Sequence, residues 1–236
     1  MKEFNNKITN FSNNSILSYR FFQPVYIFLF VNLFLISGCS NINKNEDINI
    51  CSTTKLPCID SKEYVLFITN KGNIKLELYG KLAPITVGNF IDSIEKGSYN
   101  KTIFNRVIKK PYPFIIRGGD NTSIGNQNKF IDPKIKDKRY IPLEIKLKTS
   151  NLPIYEKEIV APSQINNIEL KHKRSYLSMA RSKALNSASL QFYILLKSLP
   201  ELDGRYAVFG KVISGMNIVD LIQEEDFIIE AKRVDS

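Results

Sequence analysis

The side chains that could take part in chemistry stand in two mainly apolar blocks of the sequence. Arg106 lies in the block Phe104–Ile108, and Gln191 lies in a longer block, Tyr176–Gly210. An arginine offers a rigid fork of N–H donors, and a glutamine offers a neutral amide donor and acceptor. Taken alone, an arginine in a strand is most often an exposed surface residue. Neither block carries a Ser-His-Asp set, a metal-ligand cluster or a phosphate-binding loop, so periodicity alone predicts only an antiparallel β protein.

The histidine content limits the reactions further. His172 is the only histidine in the 236 residues, which excludes a catalytic triad and any metal site built on two histidines. Its neighbours Lys171 and Lys173 are basic, and this context predicts a surface position for His172.

The longer block has the pattern of a β-meander. Apolar runs at Tyr176–Ala180, Gln191–Leu196 and Ala207–Gly210 are separated by a polar loop at Arg181–Ser189 and a turn at Asp203-Gly204. Strand, loop, strand, tight turn and strand in this order is typical of antiparallel pairing. The block therefore predicts consecutive antiparallel strands.

The rest of the chain predicts further strands and helices. Ile74, Leu76 and Leu78 alternate with polar residues, as expected of a half-buried strand. A leading proline and apolar residues at helical spacing predict a helix over Pro84–Lys96. Similar patterns predict strands at Val65–Phe67, Thr102–Arg106 and Phe227–Val234 and a short helix within Gly215–Ile222.

The order of residue types across these blocks resembles the cyclophilin family of peptidyl-prolyl isomerases. The segments LSMAR, NSAS, QFYI and LDGRYAVFGKV follow one another as in that family. Phe104–Ile108 and Phe114–Asp120 are similar to its F-x-R-V-I … F-x-x-x-G-G-D segment, and Ala83–Phe90 is similar to its A-P-x-T-V-x-N-F segment. The resemblance covers roughly residues 63–234. It implies an all-β dominated fold, a closed antiparallel β-barrel of about eight strands capped by a helix at each end.

The chemistry that the resemblance implies needs no nucleophile, metal or cofactor. Rotation about an X–Pro bond has a barrier of about 18–20 kcal/mol, because the twisted amide loses resonance. A catalyst must hold the proline ring and stabilise the twisted amide. By resemblance, Arg106 is the catalytic cation that reaches the proline carbonyl or nitrogen. The substrate-binding positions implied in the same way are Phe114, Ile115, Arg117, Ala180, Arg181, Gln191, Tyr193, Leu202 and Tyr206.

Some positions depart from the best-known eukaryotic pattern of the family. Arg117 replaces a substrate-contacting glutamine, and Glu201 replaces a tryptophan. Arg181 and Tyr206 replace an asparagine and a histidine, changes that resemble the family's bacterial branch. Arg117 either repels Arg106 or supplies another donor to the substrate. The leading hypothesis is a peptidyl-prolyl isomerase, and the alternative is a low-activity or inactive module that binds proline-containing segments.

The first residues resemble a bacterial lipoprotein signal. An apolar run at Phe21–Ile36 follows basic residues and leads into Ser37-Gly38-Cys39. This pattern predicts a signal peptide over residues 1–38 and a lipid on Cys39. The alternative is an uncleaved membrane anchor, although the run is short for a membrane span of about 20 residues. The predicted location is the bacterial cell envelope, anchored to a membrane by lipid and facing away from the cytoplasm.

A polar tether is predicted between the signal and the domain. Residues 39–62 are rich in Asn, Ser, Thr and Lys and contain Cys51 and Cys58. Outside the cytoplasm these cysteines could form a disulfide. The alternatives are two free thiols or a transient metal site.

The domain, residues 63–236, contains a long basic insertion at about residues 132–173. Ile141, Leu143, Ile145 and Leu147 alternate with other residues and predict a strand there, and the charge pattern predicts an insertion peripheral to catalysis. The net charge of +10 suits acidic surfaces, but no basic helix or aromatic-interleaved array stands out. We therefore expect no nucleic-acid partner. The expected partners are proline-containing polypeptide segments and a membrane reached through the lipid anchor, with the protein a monomer.

Overall fold

Strands make up most of the regular structure. The computed structural model describes residues 50–119, 131–132 and 137–236. Its strands are β1 (Lys62–Thr69), β2 (Gly72–Tyr79), β3 (Arg106–Ile108), β4 (Ile115–Gly118), β5 (Ile131–Asp132), β6 (Asp137–Lys138), β7 (Glu144–Ile145), β8 (Ile154–Tyr155), β9 (Tyr176–Met179), β10 (Phe192–Leu195), β11 (Val208–Ser214) and β12 (Ile228–Val234). Its helices are α1 (Ile50–Thr53), α2 (Pro84–Glu95), α3 (Pro162–Asn166) and α4 (Met216–Leu221), with a 3₁₀ turn at Pro200–Leu202.

One antiparallel sheet of eight strands curls around the core, in the order β12-β1-β2-β11-β9-β10-β4-β3. The predicted mostly β fold is confirmed. The expected closure is only partial, because the ladder of paired strands ends at β12 and β3. Single hydrogen bonds join the segment before β3 to the start of β12. The N–H of Phe104 donates to the carbonyl of Asp226 over 2.7 Å, and the N–H of Ile228 donates to that of Thr102 over 2.9 Å.

These bonds also explain where β3 begins. The sequence predicted a strand over Thr102–Arg106, but regular pairing with β4 starts only at Arg106. The preceding residues bond instead to the chain entering β12, with an isolated bridge between Ile103 and Phe227. The segment before Arg106 is thus held at the open side of the sheet, and Arg106 itself is the first residue of the ladder.

Helix α2 fills the core beside the sheet. It begins at Pro84, where the missing N–H of proline leaves no hydrogen bond unmade, and it ends close to the predicted Lys96. Gly97 follows with a φ of 69°, a left-handed conformation that glycine adopts without strain. The ring of Phe90 lies 4.9 Å from that of Tyr99 and 5.0 Å from that of Phe209, measured between centroids. The helix thereby joins the aromatic centre of the core.

The insertion forms a small core of its own. β7 pairs with β8, and the predicted alternation is seen as buried apolar side chains on either side of Glu144. The second core cluster also includes Ala207, the residue before β11. Its buried members are Leu143, Ile145, Leu147, Ile159, Ile168 and Ala207. The insertion therefore packs against the segment that carries Tyr206, and its expected peripheral role in catalysis stays a prediction.

Glu144 ties the insertion to α2. The carboxylate is 1% exposed and accepts hydrogen bonds from the N–H of Ile85 at 3.2 Å, the N–H of Thr86 at 2.9 Å and the Thr86 hydroxyl at 2.7 Å. These donors belong to the first turn of the helix, whose N–H groups have no partner within the helix. Burial raises the pKa of Glu144, and the hydrogen bonds from Thr86 and Ile85 offset part of that rise.

The chain before β1 is fastened to α2. Cys51 and Cys58 form a disulfide within the segment predicted as a tether. A side chain on Gly88 would overlap the backbone of Pro57 and Cys58, so glycine permits this close approach to the helix. The predicted signal peptide, Cys39 and the beginning of the tether lie outside the described residues. Among the described helices, none is both long and apolar enough to cross a membrane.

Candidate active site

The predicted site residues meet on the outer face of strands β3, β4, β10 and β9. Register places Arg106 opposite Arg117, Arg117 opposite Tyr193, and Tyr193 opposite Ser178. Because side chains alternate between the two faces of a strand, these residues share one face. The residues between them, such as Ile116 and Ile194, point into the main core. Strand pairing therefore builds a row of polar and aromatic groups across the outside of the sheet.

An apolar pocket lies on the same face. Its buried members are Ile115, Tyr193, Leu195 and Leu199. The predicted residues Phe114, Ala180, Leu202 and Tyr206 pack against them and are partly exposed, as a surface that receives a ligand must be. Phe114 precedes β4 and Leu202 ends the 3₁₀ turn, so the pocket is made from strands on one side and a loop on the other.

Arg106 lies on the same face of the sheet as this cluster, on the edge strand β3. Its side chain is exposed, and its strand is held at one edge by a hydrogen bond from the N–H of Val107 to Oε1 of Glu224 at 3.1 Å. Arg117 is half-buried, and its Nε donates to Oδ1 of Asn105 at 3.2 Å. In the part of the chain that the structure describes, neither guanidinium forms a salt bridge. Arg106 and Arg117 are thus opposite residues of neighbouring strands, and the terminal nitrogens of both side chains make no hydrogen bond to the residues that the structure describes.

Gln191 and Ala180 continue the row at the end of β10 and β9. The N–H of Ala180 donates to the carbonyl of Gln191 at 2.8 Å, which extends the pairing by one step. Gln191 is two residues before Tyr193 and therefore emerges on the same face of the sheet. Gln191 is half-buried, and a side-chain amide can both donate to and accept from a peptide backbone.

His172 is buried behind this surface, so the predicted surface position is wrong. Its exposure is 2%, its Nδ1 lies 2.9 Å from Oδ1 of Asp203, and its Nε2 lies 3.2 Å from the hydroxyl of Tyr193. The backbone N–H of His172 also donates to Oδ1 of Asp203 at 2.7 Å. Burial raises the pKa of Tyr193 well above its ordinary value, so the phenol stays protonated. The local sequence is basic, and only the distant Asp203 and Tyr193 account for the burial.

Tyr206 is held by Arg181 and by the insertion. The guanidinium carbon of Arg181 lies 5.0 Å from the ring centroid of Tyr206, within the range of a cation–π contact. Arg181 also donates from Nε to the carbonyl of Arg205 at 2.9 Å and forms a salt bridge with Glu158. The ring of Tyr206 meets that of Tyr193 edge to face at 5.9 Å. Sequence reasoning missed Glu158 because nothing in its neighbourhood marks it as a partner of Arg181.

This arrangement suits binding and twisting of a proline amide. An apolar pocket can hold the ring, Gln191 can bind the flanking backbone, and Arg106 can stabilise charge as the amide rotates. Glu201, which stands at the position of a family tryptophan, is exposed and does not belong to the pocket cluster. Within the described residues, no group of three or more His, Cys, Asp or Glu side chains is arranged to hold a metal ion.

Comparison with known proteins identifies the family of this chain. Residues 64–234 match the family model described as cyclophilin type peptidyl-prolyl cis-trans isomerase/CLD. The chain therefore belongs to the cyclophilin-type peptidyl-prolyl isomerase family, and the predicted enzyme class is confirmed at that level.

Individual relatives agree with the family match. Peptidyl-prolyl cis-trans isomerase A of Dickeya dadantii is 34% identical over 68% of this chain and 71% of its own length. Peptidyl-prolyl cis-trans isomerase-like 2 of Rhizopus delemar is 38% identical over 70% of this chain, but the match spans only 26% of that longer protein. A crystal structure of a Cryptosporidium parvum cyclophilin in the presence of the dipeptide Ala-Pro has a TM-score of 0.53 at 30% identity. The match covers 74% of this chain and 100% of the Cryptosporidium parvum chain.

Proposed function

We propose that this protein is a peptidyl-prolyl isomerase that assists the folding of proteins outside the cytoplasm. The observation that carries the catalytic part is the row on the outer face of the sheet, where Arg106 stands beside the pocket formed by Ile115, Tyr193 and Leu202. An arginine on the same face as an apolar cluster suits an X–Pro bond, whose isomerisation needs no covalent step. The substrates are proline-containing segments of unfolded or flexible polypeptides.

Exchange NMR on an Ala-Pro peptide tests the catalytic part directly. The full chain should raise the cis–trans exchange rate in proportion to its concentration, and Arg106→Ala should remove most of that effect. Absence of catalysis by a folded wild-type protein would contradict the proposal.

We also propose that the protein works in the bacterial cell envelope, held to a membrane by a lipid on Cys39 and facing away from the cytoplasm. The disulfide between Cys51 and Cys58 supports such a compartment, because disulfides persist in oxidising surroundings and are rare in the cytosol. The residue order before Cys39 supports the lipid anchor. We expect a monomer.

Cys39→Ser tests the anchor. Wild-type protein in bacterial cells should incorporate a fatty-acid label and sediment with membranes. The variant should lose the label and either become soluble or accumulate as the uncleaved precursor. A wild-type protein without the label would rule out lipidation, and an unlabelled protein that stays in the membrane would favour the uncleaved anchor.

A second candidate function rests on Arg117. It lies directly opposite Arg106, and like charges at such positions repel each other. A site weakened in this way would bind proline-containing segments with little turnover. The NMR experiment distinguishes the two functions, because a binding module would shift the peptide resonances without accelerating exchange.

A further inference from the structure

The two arginines of the site form an unpaired cationic surface. Arg106 and Arg117 are opposite residues on β3 and β4, a relationship that brings Cβ atoms to about 4.5–5.5 Å from each other. Of the described residues, only Asn105 makes a hydrogen bond to either guanidinium, and it is neutral. Among the described residues, Arg139, Arg174, Arg181 and Arg233 have carboxylate partners. Arg106 and Arg117 have none there, and neither does the exposed Arg205.

Arg117 occupies the middle of the row and has nitrogens that can bind a ligand. Arg117 lies between Arg106 and the aromatic ring of Tyr193 in the cross-strand row. Its Nε donates to Asn105, and its two terminal nitrogens make no hydrogen bond among the described residues, so both can donate to a ligand. A fork of this kind matches the two oxygens of a carboxylate. Because the site is half-buried at Arg117, screening by water and salt is weaker there than on an open surface.

We propose that Arg117 makes the site selective for proline segments that carry a glutamate or aspartate within two residues of the proline. This inference rests on the proposed function and names its substrate class. A carboxylate on the substrate supplies the charge that the Arg106–Arg117 pair lacks. It relieves the repulsion between the guanidinium groups and gains a bidentate hydrogen bond. A neutral substrate leaves the repulsion in place, so discrimination comes from both effects.

Matched peptides test the selectivity. Each pair contains one central Ala-Pro and differs only by Glu or Gln at one of the four flanking positions, and kcat/KM is measured with the full chain by exchange NMR. In at least one pair, the Glu peptide should be turned over about tenfold faster than the Gln peptide at low salt. The ratio should fall as NaCl is added, because salt screens the charge. Equal rates for Glu and Gln in all pairs would overturn the inference.

Substitution assigns the effect to Arg117. Arg117→Gln should lower kcat/KM for the Glu peptide and raise it for the Gln peptide, bringing the ratio close to one. Lys232→Gln removes one exposed positive charge on β12, away from the site row, and should keep the wild-type ratio. If both variants changed the ratio equally, selectivity would come from the overall charge of the protein and not from Arg117.

The inference and the proposed function fail in different ways. If both peptides are turned over at equal rates, the proposed selectivity is contradicted and the proposed isomerase function is supported. If neither peptide is turned over, the dissociation constants of the same peptides are measured by NMR titration. Tighter binding of the Glu peptide would then support the selectivity of the site without the catalysis, and equal binding would refute both.

Discussion

The hydroxyl of Tyr193 lies 3.2 Å from Nε2 of His172. This hydrogen bond joins Tyr193, a member of the apolar cluster at the candidate site, to the segment that leads into β9. A carboxylate can only accept hydrogen bonds, and therefore the contact with Asp203 places a proton on Nδ1 of His172. In a neutral imidazole Nε2 is then the acceptor, and the hydroxyl of Tyr193 is the donor. The two hydrogen bonds of the His172 ring thus connect β10 with the loop that follows the 3₁₀ turn.

His172→Ala should loosen this connection. Both ring contacts are lost and the buried Asp203 loses a partner, so the free energy of unfolding should fall by about 1–3 kcal/mol. kcat/KM should fall as well, since Leu202 and Tyr206 belong to the loop that Asp203 holds. Urea unfolding and the isomerase assay measure the two effects. Tyr193→Phe removes only the hydroxyl and should cost about 1 kcal/mol, with a smaller loss of activity. Equal losses in both variants would contradict the role given to the imidazole.

Arg106→Ala should lower kcat/KM at least about tenfold, which corresponds to about 1.4 kcal/mol of transition-state stabilisation. Arg106→Lys should also be impaired, because an ammonium lacks the planar fork of donors. Stability should hardly change, since the Arg106 side chain is exposed. A folded Arg106→Ala protein as active as wild type would remove the basis of the site assignment.

Ile159→Ala tests whether the insertion supports the site. The side chain is 1% exposed in the core cluster shared with Ala207, and the backbone N–H of Ile159 donates to the carbonyl of Gly204 at 2.9 Å. Removing buried apolar atoms there should destabilise the protein by about 2–4 kcal/mol and lower kcat/KM by displacing the loop. The next residue, Val160, is 67% exposed, so Val160→Ala is a matched control that should behave like wild type. A wild-type kcat/KM in a folded Ile159→Ala protein would support the prediction that the insertion is peripheral to catalysis.

Glu144 should give the stability a measurable pH dependence. Its pKa is raised in the folded state by burial from the ordinary 4.5, so the folded protein holds this proton more tightly than the unfolded chain. The contribution is therefore fully present below pH 4.5 and is lost as the pH rises through the folded-state pKa. Urea unfolding from pH 4 to pH 7 should show wild type losing stability relative to Glu144→Gln as the pH increases. Glu225→Gln controls for the loss of one negative charge. A difference between wild type and Glu144→Gln that is constant with pH would contradict the burial effect.

The sequence predicted those parts of the fold that depend on local pattern. The alternation of Ile74, Leu76 and Leu78 identified β2, and Pro84 marked the start of α2 within one turn. The predictions failed where a distant residue decides the outcome. His172 sits among basic neighbours and is nevertheless buried, because Asp203 accepts from it across 31 positions of the chain. Glu144 lies between apolar residues of a short strand, and only the N-terminus of α2 accounts for its burial.

The sequence indicated which residues form the candidate site, but it did not indicate the contacts that hold them. Resemblance supplied Arg106, Arg117 and Tyr193, and strand register then joined them in one row. No spacing in the sequence indicated that Arg181 would bind Glu158 in the insertion and lie over the ring of Tyr206. Such contacts depend on how a long connection folds back, and periodicity carries no information about that.

The pairing of Tyr64 with Val234 has a practical consequence for attaching the protein to a surface. Because β1 and β12 are antiparallel neighbours, β1 begins and β12 ends at the same end of one strand pair. An affinity handle placed after Ser236 would therefore hold the sheet by the end at which β1 begins, and a new connection from β12 to β1 in a circular permutant would need only a short linker.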